Sequence, residues 1–376
     1  MIVAYLDNNA TTRLLPEAFE AMRPYLTDRF LNPASAAAVA RGDPDPASDA
    51  RRALAALLGD PDLHRDIVLT SGASEANSWV VQAACPGEGH IVLSAIEHPS
   101  LIAAAEAAER RGAQVDYVGC GQDGRVDAAD ILKVVRPDTA LVSVMFANNE
   151  TGVLQPVAEI AAEARRRAPD VLIHTDATQA VGRVALDLVG DLADVDLLSL
   201  SAHKFHGPRG VGALFVREGI ELAPLIHGRQ DDGRRGGTSN SAAAAGLAVA
   251  AQHAMRGIND WATMVDLRSR LEAGLYSIHS GSWTNGRSVP RLPNTLSMTL
   301  PGLSAEDVVD QLALQGICIA SGSACDSGSM APSHVLSAMG LSYEDAKSTL
   351  RFSLSSWTTA MEIDIVLSAM RSTVLP

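Results

Sequence analysis

The sequence is poor in aromatic residues and contains no long uninterrupted apolar run. Phe, Trp and Tyr together make up 4% of the 376 residues. No apolar run approaches the roughly 18 residues that indicate a membrane-spanning helix, and the short apolar stretch at the amino end lacks the basic lead of a secretory signal. We therefore expect neither a membrane span nor a secretory signal.

Cysteine and positive charge are also scarce. The four cysteines, at positions 85, 120, 318 and 325, show no C-x-x-C or other zinc-type spacing. The formal net charge of −14 disfavours binding to a nucleic-acid phosphate backbone. We predict a cytoplasmic protein with no resident metal and with no nucleic-acid or membrane partner.

Apolar residues make up 47% of the chain, and its length favours two domains. Strand-like apolar runs alternate with amphipathic helical patterns over residues 67–216, which predicts a doubly wound α/β domain. A long helical stretch from residue 242 toward residue 278 leaves that domain. A strand at 294–300 and a helix at 305–314 then predict a smaller α+β domain.

Asp176 and Lys204 form the most informative pair. Asp176 closes the apolar run 171–175 and Lys204 follows the run 195–200, and both runs are typical of buried parallel strands. Both side chains should therefore lie at carboxyl strand ends, where open α/β sheets bind ligands. A desolvated lysine can bind the aldehyde of pyridoxal phosphate (PLP), and a carboxylate can keep the pyridine nitrogen protonated. Each residue alone is also compatible with a solvated loop lysine or a capping aspartate.

A phosphate site is predicted where the strand 67–69 enters a turn of small residues at 70–77. Free N–H groups and a hydroxyl at a helix start bind anions, although Ser74 as an ordinary N-cap remains an alternative. Two further strand ends carry His98, which could stack on the pyridine ring, and Asn149, which could bind the ring hydroxyl. Either of these segments alone is an ordinary loop.

Together these motifs resemble the cysteine desulfurases of the class V aminotransferase group within the PLP fold-type I enzymes. The resemblance runs nearly end to end and is carried by residues 5–12, 70–77, 95–99, 147–152, 176–179, 201–204, 291–295 and 321–325. It implies a large α/β domain at 13–251 with a mainly parallel sheet, as in aspartate aminotransferase. It also implies a smaller α+β domain made of residues 1–12 and 252–376, and a homodimer.

The resemblance implies a role for each candidate residue. Lys204 is the Schiff-base lysine, Asp176 pairs with the pyridinium nitrogen and His98 stacks on the ring. The other implied cofactor contacts are Gln179 and Asn149 at the ring hydroxyl, Ala73, Ser74, Ser201 and His203 at the phosphate, and Thr238 at the phosphate of the other subunit's cofactor. Arg351 is the implied clamp for the substrate carboxylate, with Asn149 beside it, because guanidinium forms bidentate pairs.

Cys325 lies in a run of glycine and serine at 321–330, which predicts a mobile loop. The implied reaction converts L-cysteine to L-alanine. Lys204 takes the Cα proton, the Cys325 thiolate attacks the substrate sulfur to give a persulfide, and His98 carries protons. A sulfur-acceptor or iron-sulfur scaffold protein would collect the sulfur, and Cys325 could transiently bind a cluster with the partner's ligands.

Several positions depart from the family pattern, among them the turn at 227–232, which is one residue shorter and more charged than usual. Residues 31–37 lack the usual leucine-histidine pair, and Pro44 and Pro46 fall where relatives have a continuous helix, so we expect helix only from about Ala47. The charge of Asp326 disfavours the neighbouring thiolate. Selenocysteine lyase or another PLP-dependent β-elimination, and an inactive scaffold subunit, are the alternative functions.

Overall fold

The computed structural model describes residues 2–257, 261–322 and 332–374. Its helices are α1 (Pro16–Leu26), α2 (Ala36–Arg41), α3 (Pro46–Leu57), α4 (Ala73–Ala84), α5 (Pro99–Glu109), α6 (Ala128–Val134), α7 (Val157–Arg167), α8 (Ser241–Gly257), α9 (Trp261–Ile278), α10 (Ala305–Leu314), α11 (His334–Ala338), α12 (Tyr343–Lys347) and α13 (Ala360–Val374). Short 3₁₀ segments occur at Pro61–Asp66, Ala202–Lys204 and Asp231–Gly233.

The strands are β1 (Ala4–Tyr5), β2 (Ile67–Thr70), β3 (Gly89–Ser94), β4 (Ala113–Val118), β5 (Thr139–Ser143), β6 (Leu172–Asp176), β7 (Leu197–Ser201), β8 (Gly212–Val216), β9 (Trp283–Thr284), β10 (Thr295–Thr299), β11 (Ile317–Cys318), β12 (Ala320–Ser321) and β13 (Thr349–Ser353). No helix within the described ranges has both the length and the apolar character to cross a membrane.

A seven-stranded sheet in the order β2-β8-β7-β6-β5-β3-β4 forms the centre of the larger unit. β8 runs antiparallel to both of its neighbours, whereas the ladders from β7 to β4 are parallel. Successive side chains of β3 pack on opposite faces, with Val92 in one core and Ile91 and Leu93 in another. Both faces of β3 are therefore covered, as in a sheet with helices on each side, and the expected doubly wound architecture is confirmed.

A second unit contains the antiparallel sheet β12-β13-β10-β9, with α9, α10 and α13 packed into its core. Ala4 and Leu6 belong to the same core, and β1 pairs in parallel with β11. The predicted helix at 305–314 coincides with α10. The smaller α+β unit is therefore confirmed, and the amino-terminal residues pack with it.

The expected helix start near Ala47 agrees with α3, which begins at Pro46, but the expectation that no helix precedes it is wrong, because α2 forms ahead of both prolines. The Ser35 hydroxyl accepts the N–H of Ala38 and starts α2, and Gly42, with φ +67°, ends it. The next helix, α3, begins at Pro46. Proline is tolerated at the first helical position because an N–H there would have no partner within the helix. The helical stretch expected from residue 242 comprises α8 and α9, and residues 258–260 between them lie outside the described residues.

Candidate active site

A cavity of about 400 Å³ opens at the carboxyl ends of the parallel strands. Asp176 ends β6, Ser201 ends β7, and His98 follows β3. The cavity brings together these predicted site residues: Ala73, Ser74, His98, Asn149, Asp176, Gln179, Ser201, His203 and Lys204. These residues come from separate parts of the chain and meet because parallel strands end at the same edge of the sheet.

Lys204 ends a short 3₁₀ turn directly after β7. Its Nζ donates hydrogen bonds to the backbone carbonyls of Asn9 at 2.6 Å and Ala10 at 2.8 Å. The side-chain amide of Asn9 donates to the backbone carbonyl of Asn149 and to the Thr295 hydroxyl. The amino-terminal segment therefore positions the amine of Lys204 at the wall of the cavity.

Asp176 is 4% exposed, and each of its carboxylate oxygens accepts a hydrogen bond. Oδ1 accepts the backbone N–H of Thr178 at 2.9 Å, and Oδ2 accepts the side-chain amide of Asn77 at 2.8 Å. The two donors fix the plane of the carboxylate, and the remaining lone pairs are available to a donor in the cavity.

His98 forms the N-cap of α5, where its Nδ1 accepts the backbone N–H of Ser100 at 3.1 Å. Burial lowers the pKa of His98 below its usual range, and the positive charge of Lys204 adds to this effect. Because a backbone N–H can only donate, Nδ1 is the unprotonated nitrogen and the neutral ring carries its hydrogen on Nε2.

The small-residue turn places the start of α4 against Ser201. Gly72 is the N-cap, so Ser74 lies inside the first turn and the alternative of Ser74 as an N-cap is wrong. Gly72 adopts φ +155°, and a Cβ there would meet the Ser201 hydroxyl at 3.5 Å. The backbone of Gly212 packs against the same turn, and a Cβ added to Gly212 would lie 2.7 Å from the Gly72 Cα. Only glycine allows this approach, which leaves the first N–H groups of α4 at the cavity.

His203 contributes an imidazole to the same end of the cavity. Burial, reinforced by the neighbouring charge of Lys204, lowers the pKa of His203 to about 4. Its Nδ1 lies 3.1 Å from the hydroxyl of Thr11. The ring is therefore neutral near pH 7 and can act as a hydrogen-bond donor rather than as a cation.

Two predicted residues lie outside this cavity. Thr238 lines an adjacent cavity of about 700 Å³ that shares Ser71 and Gly210 with the first one. Arg351, in β13 and 3% exposed, sits behind Asn149 and donates to its carbonyl at 3.1 Å. The Nε of Arg351 is buried without a hydrogen-bond partner in the described chain.

Cys325 lies outside the described residues. The described chain resumes at residue 332 beside the cavity, where Ser333 donates to Oε2 of Glu150 at 2.5 Å. The Nε2 of His334 also donates to the backbone carbonyl of Glu97 at 2.9 Å. Glu97 and Glu150 each adjoin a cavity residue in the sequence, so these contacts hold Ser333 and His334 near the candidate site.

Sequence reasoning missed Arg183, which is 6% exposed and contacts several site residues. Its Nη1 donates to the side-chain carbonyl of Gln179 and, at 3.0 Å, to Oδ1 of Asn9. Its Nη2 donates to the backbone carbonyl of Lys204 at 3.1 Å. The sequence offered one signal for Arg183, since it is the single charged residue within the apolar run 180–186.

Known proteins match this chain over almost its whole length. The aminotransferase class-V family model matches residues 4–366. A cysteine desulfurase of Cereibacter sphaeroides is 44% identical over 371 residues, which covers 97% of this chain and 94% of that protein. A solved NifS-like protein has a TM-score of 0.90 and 32% identity, with 99% of both chains covered. A structure of SspA in complex with cysteine has a TM-score of 0.81 and 32% identity, covering 95% of this chain and 100% of that one.

The fold and the site define a PLP fold-type I architecture, and the chain belongs to the class-V aminotransferase family, whose members are PLP enzymes. Within that family its full-length relatives at 40–44% identity are cysteine desulfurases. The family resemblance inferred from the motifs is thereby confirmed.

Proposed function

We propose that the protein is a PLP-dependent cysteine desulfurase. It removes sulfur from L-cysteine, leaves L-alanine, and passes the sulfur through a persulfide on Cys325 to an acceptor protein such as an iron-sulfur cluster scaffold. The observation that carries the proposal is the convergence of Lys204, Asp176 and His98 on one cavity, in a chain similar throughout to cysteine desulfurases.

The residues around the cavity fit PLP. Asp176 suits the pyridine nitrogen because an ionised carboxylate accepts hydrogen bonds only. The start of α4 suits the phosphate, and the Thr178 hydroxyl, which lines the cavity, is a buried group without a hydrogen-bond partner in the described chain. We assign Lys204 to the aldehyde carbon, and we assign the remaining contacts to Gln179 and Asn149 at the ring hydroxyl and to Ala73, Ser74, Ser201 and His203 at the phosphate.

When bound, PLP supplies an electron-withdrawing ring that stabilises negative charge at the substrate Cα. Lys204 Nζ removes the Cα proton. Its hydrogen bonds to the carbonyls of Asn9 and Ala10 place it at the cavity wall for this role. His98 donates and accepts protons through Nε2, and Arg351 binds the substrate carboxylate. The Cys325 thiolate attacks the substrate sulfur, and a sulfur–sulfur bond forms as the carbon–sulfur bond breaks. The electron pair left on Cβ takes up a proton, and the proton that Lys204 removed from Cα is returned there, which gives L-alanine.

We further propose a homodimer in which Thr238 reaches the cofactor phosphate of the other subunit. Thr238 lines a separate cavity beside the first, which supports a role outside its own site. Large apolar side chains are also exposed near the amino end, as a subunit interface requires: Phe19, Leu26, Phe30 and Val39.

We place the large domain at residues 13–251 and the small domain at residues 1–12 and 252–376. A separate apolar core formed by residues 4–6 and 271–370 supports this division, while Leu292, Val335 and Leu336 pack into the core of the large domain. We also propose that the protein works in the cytoplasm. The free thiols of Cys85, Cys120 and Cys318 support this location, since reducing compartments preserve unpaired cysteines.

The test is to incubate the purified protein with L-cysteine and to measure sulfide and alanine with and without a reductant. Equimolar alanine and reductant-released sulfide are expected, with both lost in Lys204→Ala and in Cys325→Ala. The visible absorbance of bound PLP should disappear only in Lys204→Ala. Cys318→Ala is the matched control, since Cys318 is also a free thiol, and it should keep wild-type turnover.

Full activity in Cys325→Ala would contradict the persulfide mechanism and favour simple β-elimination. Selenide release from L-selenocysteine without sulfide release from L-cysteine would favour a selenocysteine lyase. A wild-type protein that binds no PLP would favour the scaffold function.

A further inference from the structure

A continuous chain of hydrogen bonds joins Asp176 to His98 through two residues that do not line the cavity. The side-chain nitrogen of Asn77 donates to Oδ2 of Asp176 at 2.8 Å and to the hydroxyl of Ser100 at 3.0 Å. The Ser100 hydroxyl lies 2.8 Å from Nδ1 of His98. Asn77 is completely buried, so water does not compete for these bonds.

The direction of every hydrogen bond in this chain is determined by chemistry. A carboxylate only accepts, so the NH₂ group of Asn77 must face Asp176, and its second hydrogen then points to Ser100. The Ser100 hydroxyl accepts from Asn77 and is left with its own hydrogen to donate. Nδ1 of His98 already accepts the backbone N–H of Ser100 and is therefore the acceptor for that hydroxyl as well.

We propose that Asn77 and Ser100 are positioning residues that hold His98 in one ring orientation and one tautomer, through a hydrogen-bond relay that begins at Asp176. The relay keeps Nδ1 as an acceptor and leaves Nε2 to carry the hydrogen of the neutral ring. It also supplies one of the two donors that orient the Asp176 carboxylate. The significance of the relay for proton transfer rests on the proposed function, whereas the relay itself does not.

Other charged groups also act on His98. Burial disfavours the imidazolium form, Asp176 favours it, and Lys204 and His334 disfavour it. Ser100→Ala leaves all of these charged groups and their hydrogen bonds in place, so a change in the His98 titration in that variant reports the hydroxyl. Asn77→Leu also removes a donor from Asp176, so a double variant is needed to separate the two effects.

The test is an NMR titration of the His98 imidazole in protein containing isotope-labelled histidine, with and without PLP. The loss of signals in His98→Gln assigns the resonances. Ser100→Ala removes the hydroxyl donor to Nδ1, so the pKa of His98 should rise by roughly half a unit to one unit. Asn77→Leu frees the hydroxyl to rotate and to accept from a protonated Nδ1, so a similar rise is expected.

The double variant Asn77→Leu/Ser100→Ala separates a relay from two independent effects. Without the hydroxyl, Asn77 has no hydrogen-bonded route to His98, so in a relay the double variant should titrate like Ser100→Ala alone, whereas an effect through the Asp176 charge would persist. Ser78→Ala, on the same helix but outside the cavity lining, is the control and should titrate like the wild type. Turnover of L-cysteine should fall roughly ten- to a hundredfold in Asn77→Leu, because a donor to a charged group is lost.

An unchanged pKa of His98 in Asn77→Leu would overturn the relay. The relay would also be overturned if Asn77→Leu shifted this pKa equally in the wild-type protein and in Ser100→Ala. If Asn77→Leu does not fold, Asn77→Ala provides the same comparison. Alanine production by the wild-type protein tests the proposed function separately. The titration gives the same comparison in a protein that forms no alanine, so failure of one proposal is distinguishable from failure of the other.

Discussion

Nη2 of Arg351 donates a hydrogen bond to Oδ1 of Asp7 at 2.8 Å, which joins β13 to the segment directly after β1. The side chains of Arg351 and Asp7 are 3% and 21% exposed. Nη1 of the same guanidinium binds the Asn149 carbonyl, so the plane of the guanidinium is fixed from two sides. The candidate carboxylate clamp is thus pre-oriented by an internal carboxylate.

Arg351→Lys should raise the KM for L-cysteine roughly ten- to a hundredfold, because lysine cannot reproduce a bidentate contact while also binding Asp7. Retention of PLP, read from visible absorbance, should not change. Arg270→Lys, which alters a surface ion pair with Asp364, is the matched control and should leave the KM unchanged. An unaltered KM in Arg351→Lys would remove Arg351 from the substrate site.

Arg183→Leu should destabilise the protein and reduce turnover together. The substitution removes the donor from the backbone carbonyls of Asn8, Gln179 and Lys204, which should lower the free energy of unfolding by roughly 3 kcal/mol. Thermal unfolding measures the first effect, and alanine production from L-cysteine measures the second. Arg110→Leu, at an exposed helix end, should alter neither, and a stable, fully active Arg183→Leu would show that Arg183 does not support the site.

Much of the site could be predicted from the sequence because the carboxyl ends of parallel strands lie at the same edge of the sheet. The apolar runs that end at Asp176 and Ser201 indicated two carboxyl strand ends, and Lys204 lies directly after the second. His98 was predicted in the same way, because it follows another apolar run. Strand period and turn composition are local properties, so a single sequence reveals them.

Contacts between distant residues could not be predicted in this way. The carbonyls of Asn9 and Ala10 that bind Lys204 are backbone groups about 195 residues away, and no side-chain pattern marks them. Asn77 was predicted only as the last residue of the 70–77 turn, because no local pattern shows that the fold places its side-chain amide between Asp176 and Ser100. The early start of α2 depended on the cap formed by Ser35, which a proline-based argument overlooked.

Glu97→Gln should remove part of the pH dependence of stability. Burial raises the pKa of Glu97 to about 8, despite hydrogen bonds from Ser94 and Met145 that act in the opposite direction. In the unfolded chain a glutamate titrates near ~4.3. Between these two values the unfolded state loses a proton that the folded state keeps, so this carboxyl makes the folded state progressively less stable as the pH rises toward 8.

The amide of Glu97→Gln does not titrate, and its oxygen can still accept from Ser94 and Met145. Its apparent Tm should therefore lie close to the wild-type value near pH 5 and exceed it by several degrees at pH 8. Glu88→Gln, at an exposed position, should follow the wild-type profile at every pH. Parallel wild-type and Glu97→Gln profiles across this range would show that Glu97 is ionised in the folded protein.

Mixed dimers test the role of Thr238 directly. Thr238→Ala homodimers should lose PLP more readily, and Lys204→Ala homodimers should be inactive. A heterodimer of the two variants contains one site with an intact Lys204 that receives Thr238 from the other subunit, so it should show about half of the wild-type turnover. If Thr238 instead served its own subunit, no complete site would form, and turnover in the heterodimer would stay at the level expected for half of the Thr238→Ala homodimer. Differentially tagged subunits, purified through both tags and assayed for alanine at limiting PLP, distinguish the two arrangements.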